Sequence, residues 1–255
     1  MLGIFLLVKS PDDYILAAFL QACTPLIAGV FSIVWLRKHY TGLFKWPTIG
    51  EIINSYKEGW SIFVSSLAVN LYTATNVVVL GMLTNNVIVG YYSAADKLIT
   101  CVRRGIYAVS DAIYPFISKM MKDDIPKGLQ FIKKQLLLYL VVGLVGCTSL
   151  FFFSDTIVKL LFGADYNLTV DVLRILSFVP LAVAISTVFG EETMLPLNMN
   201  SAYSRTLVLA AFFSLLSIFP LCYLWGAKGV AMTMLLTEFL IMIIMGGLLR
   251  KQLFQ

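Results

Sequence analysis

Charged residues are scarce in this sequence. Of its 255 residues, 13% are charged and 59% are hydrophobic, and the mean hydropathy is +0.87. A soluble globular domain has about 25% charged residues. The composition therefore excludes a soluble domain and predicts an all-α, polytopic membrane protein, because a helix satisfies its own backbone hydrogen bonds in lipid.

Histidine and cysteine are scarce as well. The single histidine, His39, follows Arg37 and Lys38 at a predicted helix end, and it has no Ser or Cys partner and no nearby carboxylate pair. Four cysteines lie singly in predicted helices, without CxxC spacing, at Cys23, Cys101, Cys147 and Cys222. We therefore expect no disulfide, no metal site and no cofactor.

Long apolar runs make up most of the chain. Windows of about 18 or more apolar residues indicate membrane-spanning helices. Such windows lie near residues 13–36, 60–83, 88–118, 134–153, 171–190, 206–225 and 227–249. Residues 2–8 form a shorter apolar piece that looks like the end of a helix. The sequence thus predicts about seven full spans and a partial one, in a chain that begins inside a larger protein.

Basic residues are distributed unevenly between the connections of these spans. Lys and Arg accumulate on the cytoplasmic side of membrane proteins. One set of connections contains Arg37, Lys38, Lys45, Lys57, Lys119, Lys122, Lys127, Lys133, Lys134, Arg205, Arg250 and Lys251. The other set contains Lys9, Lys159 and Lys228, with Arg174 near a helix start. We therefore expect a cytoplasmic C-terminus, and the net charge of +5 reflects this topology rather than nucleic-acid binding.

The connections also suggest how the chain is organised. The longest, residues 37–59, contains an amphipathic stretch at 49–57 that could form a short interfacial helix, and it is the best candidate for a boundary between two bundles. The connection at 225–229 is short, so the last two helices should form an antiparallel hairpin. Prolines that can kink spans lie at Pro25, Pro115, Pro180 and Pro220.

The predicted span at 88–118 contains five charged residues, Asp96, Lys97, Arg103, Arg104 and Asp111. With a rotation of about 100° per residue, they share an arc of roughly 120°. Polar residues on the same arc are Ser93, Thr100, Tyr107, Tyr114 and Ser118. We call this face the charged stripe. A charge that faces hydrocarbon costs several kcal/mol, so the stripe should face water, a partner helix or a polar substrate. It therefore predicts a cavity.

The spacing of these charges limits how they can pair. Asp96 and Arg103 are seven residues apart, about two turns, so ion pairs within the helix cannot all close and the partners must come from elsewhere. Three basic residues against two acidic ones leave a surplus positive charge. That surplus suits an anionic group, particularly a phosphate or pyrophosphate bound by Arg.

Two other spans carry polar groups with two interpretations each. On the span at 60–83, Ser65, Ser66, Asn70, Thr73 and Asn76 share an arc of about 140°, and they could bond to adjacent helices or line the cavity. The last span has one acid, Glu238, which could accept a hydrogen bond from a neighbouring helix or titrate during transport.

Three stretches resemble the Wzx-type O-antigen flippases of the multidrug, oligosaccharidyl-lipid and polysaccharide exporter superfamily. The first is NLYTATNVVVLGMLTNNVIVGYYSAADKL, residues 70–98. The second is PDDYILAAFLQACTPLIAGVFSIVWLRKH, residues 11–39, which resembles that family's sixth helix. The third is GAKGVAMTMLLTE, residues 226–238, which resembles the entry to its twelfth helix. Together the three stretches extend over nearly the whole chain.

This resemblance implies a fold and a substrate. Members have about twelve spans in two six-helix bundles around a central cationic cavity. Residues 60–255 would be the C-terminal six-helix bundle, residues 37–59 a cytoplasmic inter-bundle loop and residues 1–36 the end of an N-terminal bundle that lacks its first four to five helices. The family is a transporter and not an enzyme. It moves undecaprenyl-pyrophosphate-linked oligosaccharide from the cytoplasmic to the periplasmic leaflet of the inner membrane.

The resemblance, combined with the charged stripe, gives roles to individual residues. Pyrophosphate is expected to contact Lys97, Arg103 and Arg104. Charge balance or proton coupling is expected of Asp96, Asp111 and Glu238. The polar lining is expected to comprise Asn70, Thr73, Asn76, Thr100, Tyr107 and Tyr114. Membrane lipids and other polysaccharide assembly proteins are the remaining expected partners.

Other functions stay open at this point. One is an exporter of another lipid-linked precursor or of a drug in the same superfamily, although an exporter of organic cations should have an anionic cavity. Another is a membrane-embedded polysaccharide polymerase or ligase, which usually needs a large outer loop and a catalytic group that the short outer loops do not offer. A third is an inactive assembly fragment.

Overall fold

The computed structural model of the protein describes residues 14–39, 47–163 and 165–254, and its regular structure is helical throughout these ranges. The helices are α1 (Tyr14–His39), α2 (Ile49–Leu83), α3 (Asn86–Asp123), α4 (Ile125–Phe162), α5 (Asn167–Leu176), α6 (Val179–Phe189), α7 (Asn200–Trp225) and α8 (Ala227–Phe254). A π-helical segment, Gly190–Met194, continues α6. The predicted partial span at residues 2–8 lies outside the described residues.

Among the described residues, five segments are long and apolar enough to cross a membrane. They are Gly59–Leu83, Ile125–Phe162, Asn167–Met194, Asn200–Trp225 and Ala227–Arg250. α3 is not among them because the charged stripe runs along it, yet it packs inside the bundle against α4, α5 and α6. The prediction of an all-α, polytopic membrane protein is confirmed.

Two helices are much longer than the sequence windows suggested. α3 and α4 each have 38 residues, or about 57 Å at 1.5 Å per residue, whereas the hydrocarbon core of a bilayer is about 30 Å thick. The span predicted at 134–153 begins at Ile125, where the carboxylate of Asp124 accepts a hydrogen bond from the backbone N–H of Lys127 at 3.2 Å. Asp124 is therefore the whole connection between α3 and α4.

The amphipathic stretch at 49–57 is helical, but it does not form a separate short helix. α2 runs without a break from Ile49 to Leu83, so the prediction of a loop that extends to residue 59 is wrong. A reciprocal cap starts this helix: the N–H of Thr48 donates to Glu51 Oε2 at 2.7 Å, and the N–H of Glu51 donates to Thr48 Oγ1 at 3.4 Å. The bond from the Thr48 N–H, together with a second one from the Thr48 hydroxyl to the same Oε2 at 2.9 Å, lowers the pKa of Glu51.

The chain divides into two compact units between Ser55 and Tyr56. In the first unit, α1 contains Pro25 and exposes an apolar surface that includes Leu26, Ile27 and Phe31. The second unit contains the rest of α2 and helices α3 to α8. The interpretation of these units as parts of two transporter bundles stays a prediction.

In the second unit, α7 and α8 form the expected antiparallel hairpin. Gly226 makes the turn with a φ of 55°, a left-handed conformation that glycine adopts without strain. Gly229 is required by packing, since a Cβ at this position would collide with the backbone carbonyl of Leu221. α8 then lies against α5 and α6, while α4 covers α5 and α6 from another side.

The span predicted at 171–190 consists of two helices and the π-helical segment. Pro180 lies in the first turn of α6; it has no N–H, and its ring crowds the carbonyl four residues earlier, at Leu176, where α5 ends. Within the π-helical segment, the N–H of Leu195 bonds to the carbonyl of Gly190 at 3.1 Å. The hydroxyl of Thr193 bonds to the carbonyl of Val188 at 2.7 Å, also five residues back.

Two apolar cores hold the second unit together, one toward each end of the long helices. One includes Leu80, Ile99, Leu173 and Met234, and the other includes Tyr72, Ile117, Ile132, Ala210 and Met245. Along α2, α3 and α8 the residues between these cores include polar side chains. The helices thus enclose a polar layer between two apolar ones.

Candidate functional site

A buried ion pair lies in this polar layer. Arg103 on α3 is 9% exposed, and its Nη2 lies 3.5 Å from Oε1 of Glu238 on α8, which is 3% exposed. The hydroxyl of Tyr72 on α2 donates to the same Oε1 at 3.0 Å. The partner of Arg103 therefore comes from another helix, as the spacing along α3 required. Of the two interpretations of Glu238, the structure shows the first, acceptance of hydrogen bonds from neighbouring helices.

Beside the ion pair, a cleft with a volume of about 590 Å³ lies between α2, α3 and α7. Few backbone positions of α2 lie close to another helix, so side chains rather than backbone meet across the cleft. Its lining residues are Ser65, Ser66, Val69, Asn70, Thr73, Thr100, Arg103, Arg104, Tyr107, Asp111, Glu191, Tyr203 and Leu207. A second cavity of about 50 Å³ shares Tyr107 and Glu191 with the cleft and reaches Glu238.

The cleft brings together seven of the twelve predicted site residues. They are Asn70, Thr73, Thr100, Arg103, Arg104, Tyr107 and Asp111. Glu238 lines only the smaller cavity. Asp96, Lys97 and Tyr114 lie on the charged stripe but outside the lining, because the stripe is longer than the cleft. Asn76 is buried, and neither atom of its amide has a hydrogen-bond partner in the described structure.

The polar face of α2, apart from the buried Asn76, lines the cleft. Asn70 donates through Nδ2 to the carbonyl of Ser66 at 2.8 Å, and Thr73 donates to the carbonyl of Val69 at 2.8 Å. Both bonds lie within α2. They leave the amide oxygen of Asn70 free to accept a hydrogen bond from a molecule in the cleft.

The charge of the lining differs from that of the stripe considered alone. Arg103 and Arg104 contribute two basic groups, and Asp111 and Glu191 contribute two carboxyl groups. Lys97, which supplied the surplus positive charge in the sequence, is exposed outside the lining. Within the described residues the lining therefore has as many carboxyl groups as basic groups, and the cationic cavity stays a prediction.

Sequence reasoning missed the two acids of the π-helical segment. Glu191 lines the cleft, and Glu192 is fully buried behind it. The predicted span ends at residue 190, so both acids fall just outside it. Two adjacent acids directly after a 16-residue run without charge, residues 175–190, were the available signal. The fold places them inside because the helix continues, as a π-helical turn, to Met194.

Tyr203 on α7 was also missed, and packing explains its position. Its ring lies beside Gly190, where an added Cβ would be 2.6 Å from Tyr203 Cε2 and 3.1 Å from Met245 Sδ. Glycine at residue 190 thus lets the π-helical segment fit closely between α7 and α8. This contact holds Glu191 and Tyr203 on the same wall of the cleft.

Comparison with known proteins gives a consistent set of relatives. Residues 1–121 match the family described as polysaccharide biosynthesis protein. The chain is 31% identical over 241 residues to a protein of Shigella dysenteriae and 30% identical over 243 residues to one of Escherichia coli (strain K12), and both are named as O-antigen transporters. These alignments cover 94% and 93% of this chain, but it spans only 60% and 57% of the relatives. No solved structure matches the chain.

Proposed function

Because this chain is a homologue of bacterial O-antigen transporters, we propose that it forms the C-terminal part of a flippase for lipid-linked glycans. The resemblance seen in its motifs is confirmed by these relatives, whose names describe transporters and not enzymes. The proposed substrate is an O-antigen or related polysaccharide repeat unit on undecaprenyl pyrophosphate. It would move from the cytoplasmic to the periplasmic leaflet of the inner membrane.

The observation that carries this proposal is the cleft between α2, α3 and α7. A lipid-linked glycan can keep its tail in the bilayer, but its charged and hydroxylated head needs a polar passage. The cleft offers guanidinium groups for phosphate and amide or hydroxyl groups for sugars, in the layer between the two apolar cores. Binding sites of transporters are commonly found at this level, near the middle of the membrane.

The two arginines have different roles in this proposal. Arg103 is buried and held by Glu238, so it is fixed in place and partly neutralised. Arg104 is exposed in the cleft and makes no ion pair among the described residues. Arg104 is therefore the first contact for pyrophosphate, and Arg103 joins when Glu238 releases it. Asp111 balances their charge in the empty cleft.

Sugar hydroxyls would be bound by Asn70, Thr73, Thr100 and Tyr107. Each has a polar atom on the lining, and amides and hydroxyls can both donate to and accept from a hydroxyl. Lys97 and Asp96 lie along the same stripe beyond the cleft, where they would meet the head group on its way in or out. Asn76 and Tyr114 lie away from the lining and have no role in this proposal.

The test is restoration of surface polysaccharide in a bacterium that lacks its own O-antigen flippase. We would express this chain alone and this chain preceded by the N-terminal helices of the Shigella dysenteriae relative, with immunoblots of the membrane fraction as the control for expression. We expect the fusion to restore polysaccharide, because a passage between two bundles needs both walls. Failure of both well-inserted forms to restore it would contradict the proposed substrate.

A second candidate is an exporter of organic cations in the same superfamily. Asp111 and Glu191 on the lining favour it, since a cationic drug would pair with carboxylates. Drug susceptibility of the same strains would distinguish the two. Resistance without restored polysaccharide would support the exporter of cations.

A further inference from the structure

Glu192 is a second buried carboxyl group in the polar layer, and its surroundings differ from those of Glu238. It is 0% exposed, and the π-helical segment that contains it packs against α3 and α4. Ser110 on α3 donates to its Oε1 at 2.6 Å, and Gln135 on α4 donates through Nε2 to its Oε2 at 2.6 Å. Both carboxyl oxygens are thus held by neutral groups.

The groups that face Glu192 provide no positive charge. They are Ser110 from α3, Gln135 and Tyr139 from α4, and Glu191 from its own segment, which in turn faces Asp111. Among the described residues, Glu192 forms no ion pair, whereas Glu238 has Arg103. An ionised carboxylate without a cation is costly inside a membrane protein, and such residues commonly serve ion or proton pathways.

The hydrogen-bond network around Glu192 can satisfy two protonation states. Gln135 Oε1 and the hydroxyl of Tyr139 are buried, and neither has a hydrogen-bond partner among the described residues. Tyr139 lies one turn beyond Gln135 on the same face of α4, so the two side chains are neighbours. The two ends of an amide are assigned from the hydrogen bonds that they make. If the amide is turned over, Gln135 Oε1 faces Glu192 and the NH₂ group is free to donate toward Tyr139.

Each orientation corresponds to one state of the carboxyl group. When Glu192 is ionised, it accepts from Ser110 and from the NH₂ group of Gln135. When it carries a proton, its O–H can donate to Gln135 Oε1 while its other oxygen still accepts from Ser110. The same side chains therefore accommodate gain and loss of a proton without leaving the carboxyl group unpaired.

The position of Glu192 gives it a route to water. Glu191, the preceding residue, lines the cleft, so hydronium there can transfer a proton to the Glu191 carboxylate and become water, and in the proposed uptake that proton then passes to Glu192. In that step an O–H bond breaks on Glu191, one forms on Glu192, and total charge is conserved. The π-helical segment adds a second indication, since single π-helical turns inside α-helices occur frequently at functional sites.

We propose that Glu192, held by Ser110 and Gln135, is the site at which this protein binds the proton that drives its transport cycle. This rests on the proposed transport function. It also differs from the roles expected from the sequence, which gave charge balance or proton coupling to Asp96, Asp111 and Glu238. Binding and release of the proton would change the bonds that tie the π-helical segment to α3 and α4.

The test is infrared difference spectroscopy of the full chain in lipid, comparing mildly acidic with alkaline buffer. A protonated carboxyl group gives a C=O stretching band that a carboxylate lacks. We expect a band from a carboxyl group shielded from water that is lost in Glu192→Gln and retained in Glu238→Gln, the matched buried control. A band unchanged in Glu192→Gln would overturn the proposal.

A second variant changes the site less than Glu192→Gln does, so that the test does not depend on a single substitution that could prevent folding. Ser110→Ala removes one donor to the ionised carboxylate, so the midpoint of the band should move to higher pH. A midpoint that does not move in Ser110→Ala would contradict the proposed site.

Neither of these two measurements needs a glycan substrate. If the band belongs to Glu192 but the fusion fails to restore polysaccharide, the proposed proton site stands and the proposed flippase function is wrong. If the fusion restores polysaccharide but the band does not come from Glu192, the flippase function stands and the proton site is wrong.

Discussion

Arg103 and Arg104 are adjacent in the sequence but have different environments. Arg103 is buried at the wall of the cleft and pairs with Glu238, which also accepts a hydrogen bond from Tyr72, whereas Arg104 is exposed on the lining. Neighbouring residues on a helix point about 100° apart, so Arg103 is turned toward Glu238 and Arg104 toward the open part of the cleft. A change at Arg103 should therefore affect folding, and a change at Arg104 should affect binding.

For Arg104→Gln in the complementing fusion we expect normal membrane levels and roughly a tenfold loss of polysaccharide transfer. A charge-assisted hydrogen bond contributes about 1.5–3 kcal/mol, and about 1.4 kcal/mol corresponds to a factor of ten. Transfer would be measured as surface polysaccharide per transporter. Arg205→Gln, an exposed arginine on α7 outside the lining, is the matched control and should have no effect. Equal losses in both variants would contradict the assignment.

For Arg103→Gln we expect the free energy of unfolding of the purified protein to fall by about 3 kcal/mol, because the change leaves Glu238 buried without its cation. The double variant Arg103→Gln with Glu238→Gln should recover much of that loss, since no buried charge remains. Thermal unfolding in detergent measures both. Additive losses in the double variant would show that the two side chains do not stabilise the fold as a pair.

At the scale of the helices, glycines decide how closely the elements pack. Gly229 lets α8 approach the end of α7 at the hairpin, and Gly190 lets the π-helical segment fit against Tyr203. Neither position was recognisable as critical from its local sequence, because each depends on a residue of another helix or of the preceding turn. The hairpin itself was predictable, since the connection is short and contains Gly226.

For Gly229→Ala we expect destabilisation of about 2 kcal/mol or more, since the added methyl group meets the rigid carbonyl of Leu221. Gly247→Ala on the same helix is the control, because nothing lies within 4 Å of its Cβ position. It should be neutral or slightly stabilising, as alanine has the higher helix propensity. The stability of the two variants would be compared by their resistance to protease in membranes. Equal resistance of Gly229→Ala and Gly247→Ala would contradict the prediction that a methyl group at residue 229 disturbs the hairpin.

At the scale of the whole molecule, the protein is a multi-pass bacterial membrane protein, and its basic residues predict its orientation. The long helices α3 and α4 meet at Asp124, which is flanked by Lys119 and Lys122 in the last turn or two of α3 and by Lys127 in the first turn of α4. We expect this hairpin and the C-terminus on the cytoplasmic side, and the connection between α4 and α5 on the opposite side.

Reporter fusions measure this orientation. A fluorescent protein that folds only in the cytoplasm should fluoresce when fused after Gln255, and alkaline phosphatase, which is active only outside, should be inactive there. Inserted at Asp165, between α4 and α5, the two reporters should give the reversed result. The same signal at both positions would contradict the proposed topology.

The sequence by itself determined the features that depend on local order. Apolar runs of sufficient length gave the helical membrane fold, and the period of the helix put Arg103, Tyr107 and Asp111 on one face of α3. Proline at residue 180 explains the break between α5 and α6. Each of these follows from residues within a few turns of one another.

Only the tertiary structure decided which of these faces meet. Glu238 became the partner of Arg103 although 135 residues separate them. The cleft included Glu191 and left out Lys97, which changed the balance of charge on its lining. Helical periodicity fixes the direction of a side chain relative to its own axis, but the neighbours of that side chain depend on how the helices pack against one another.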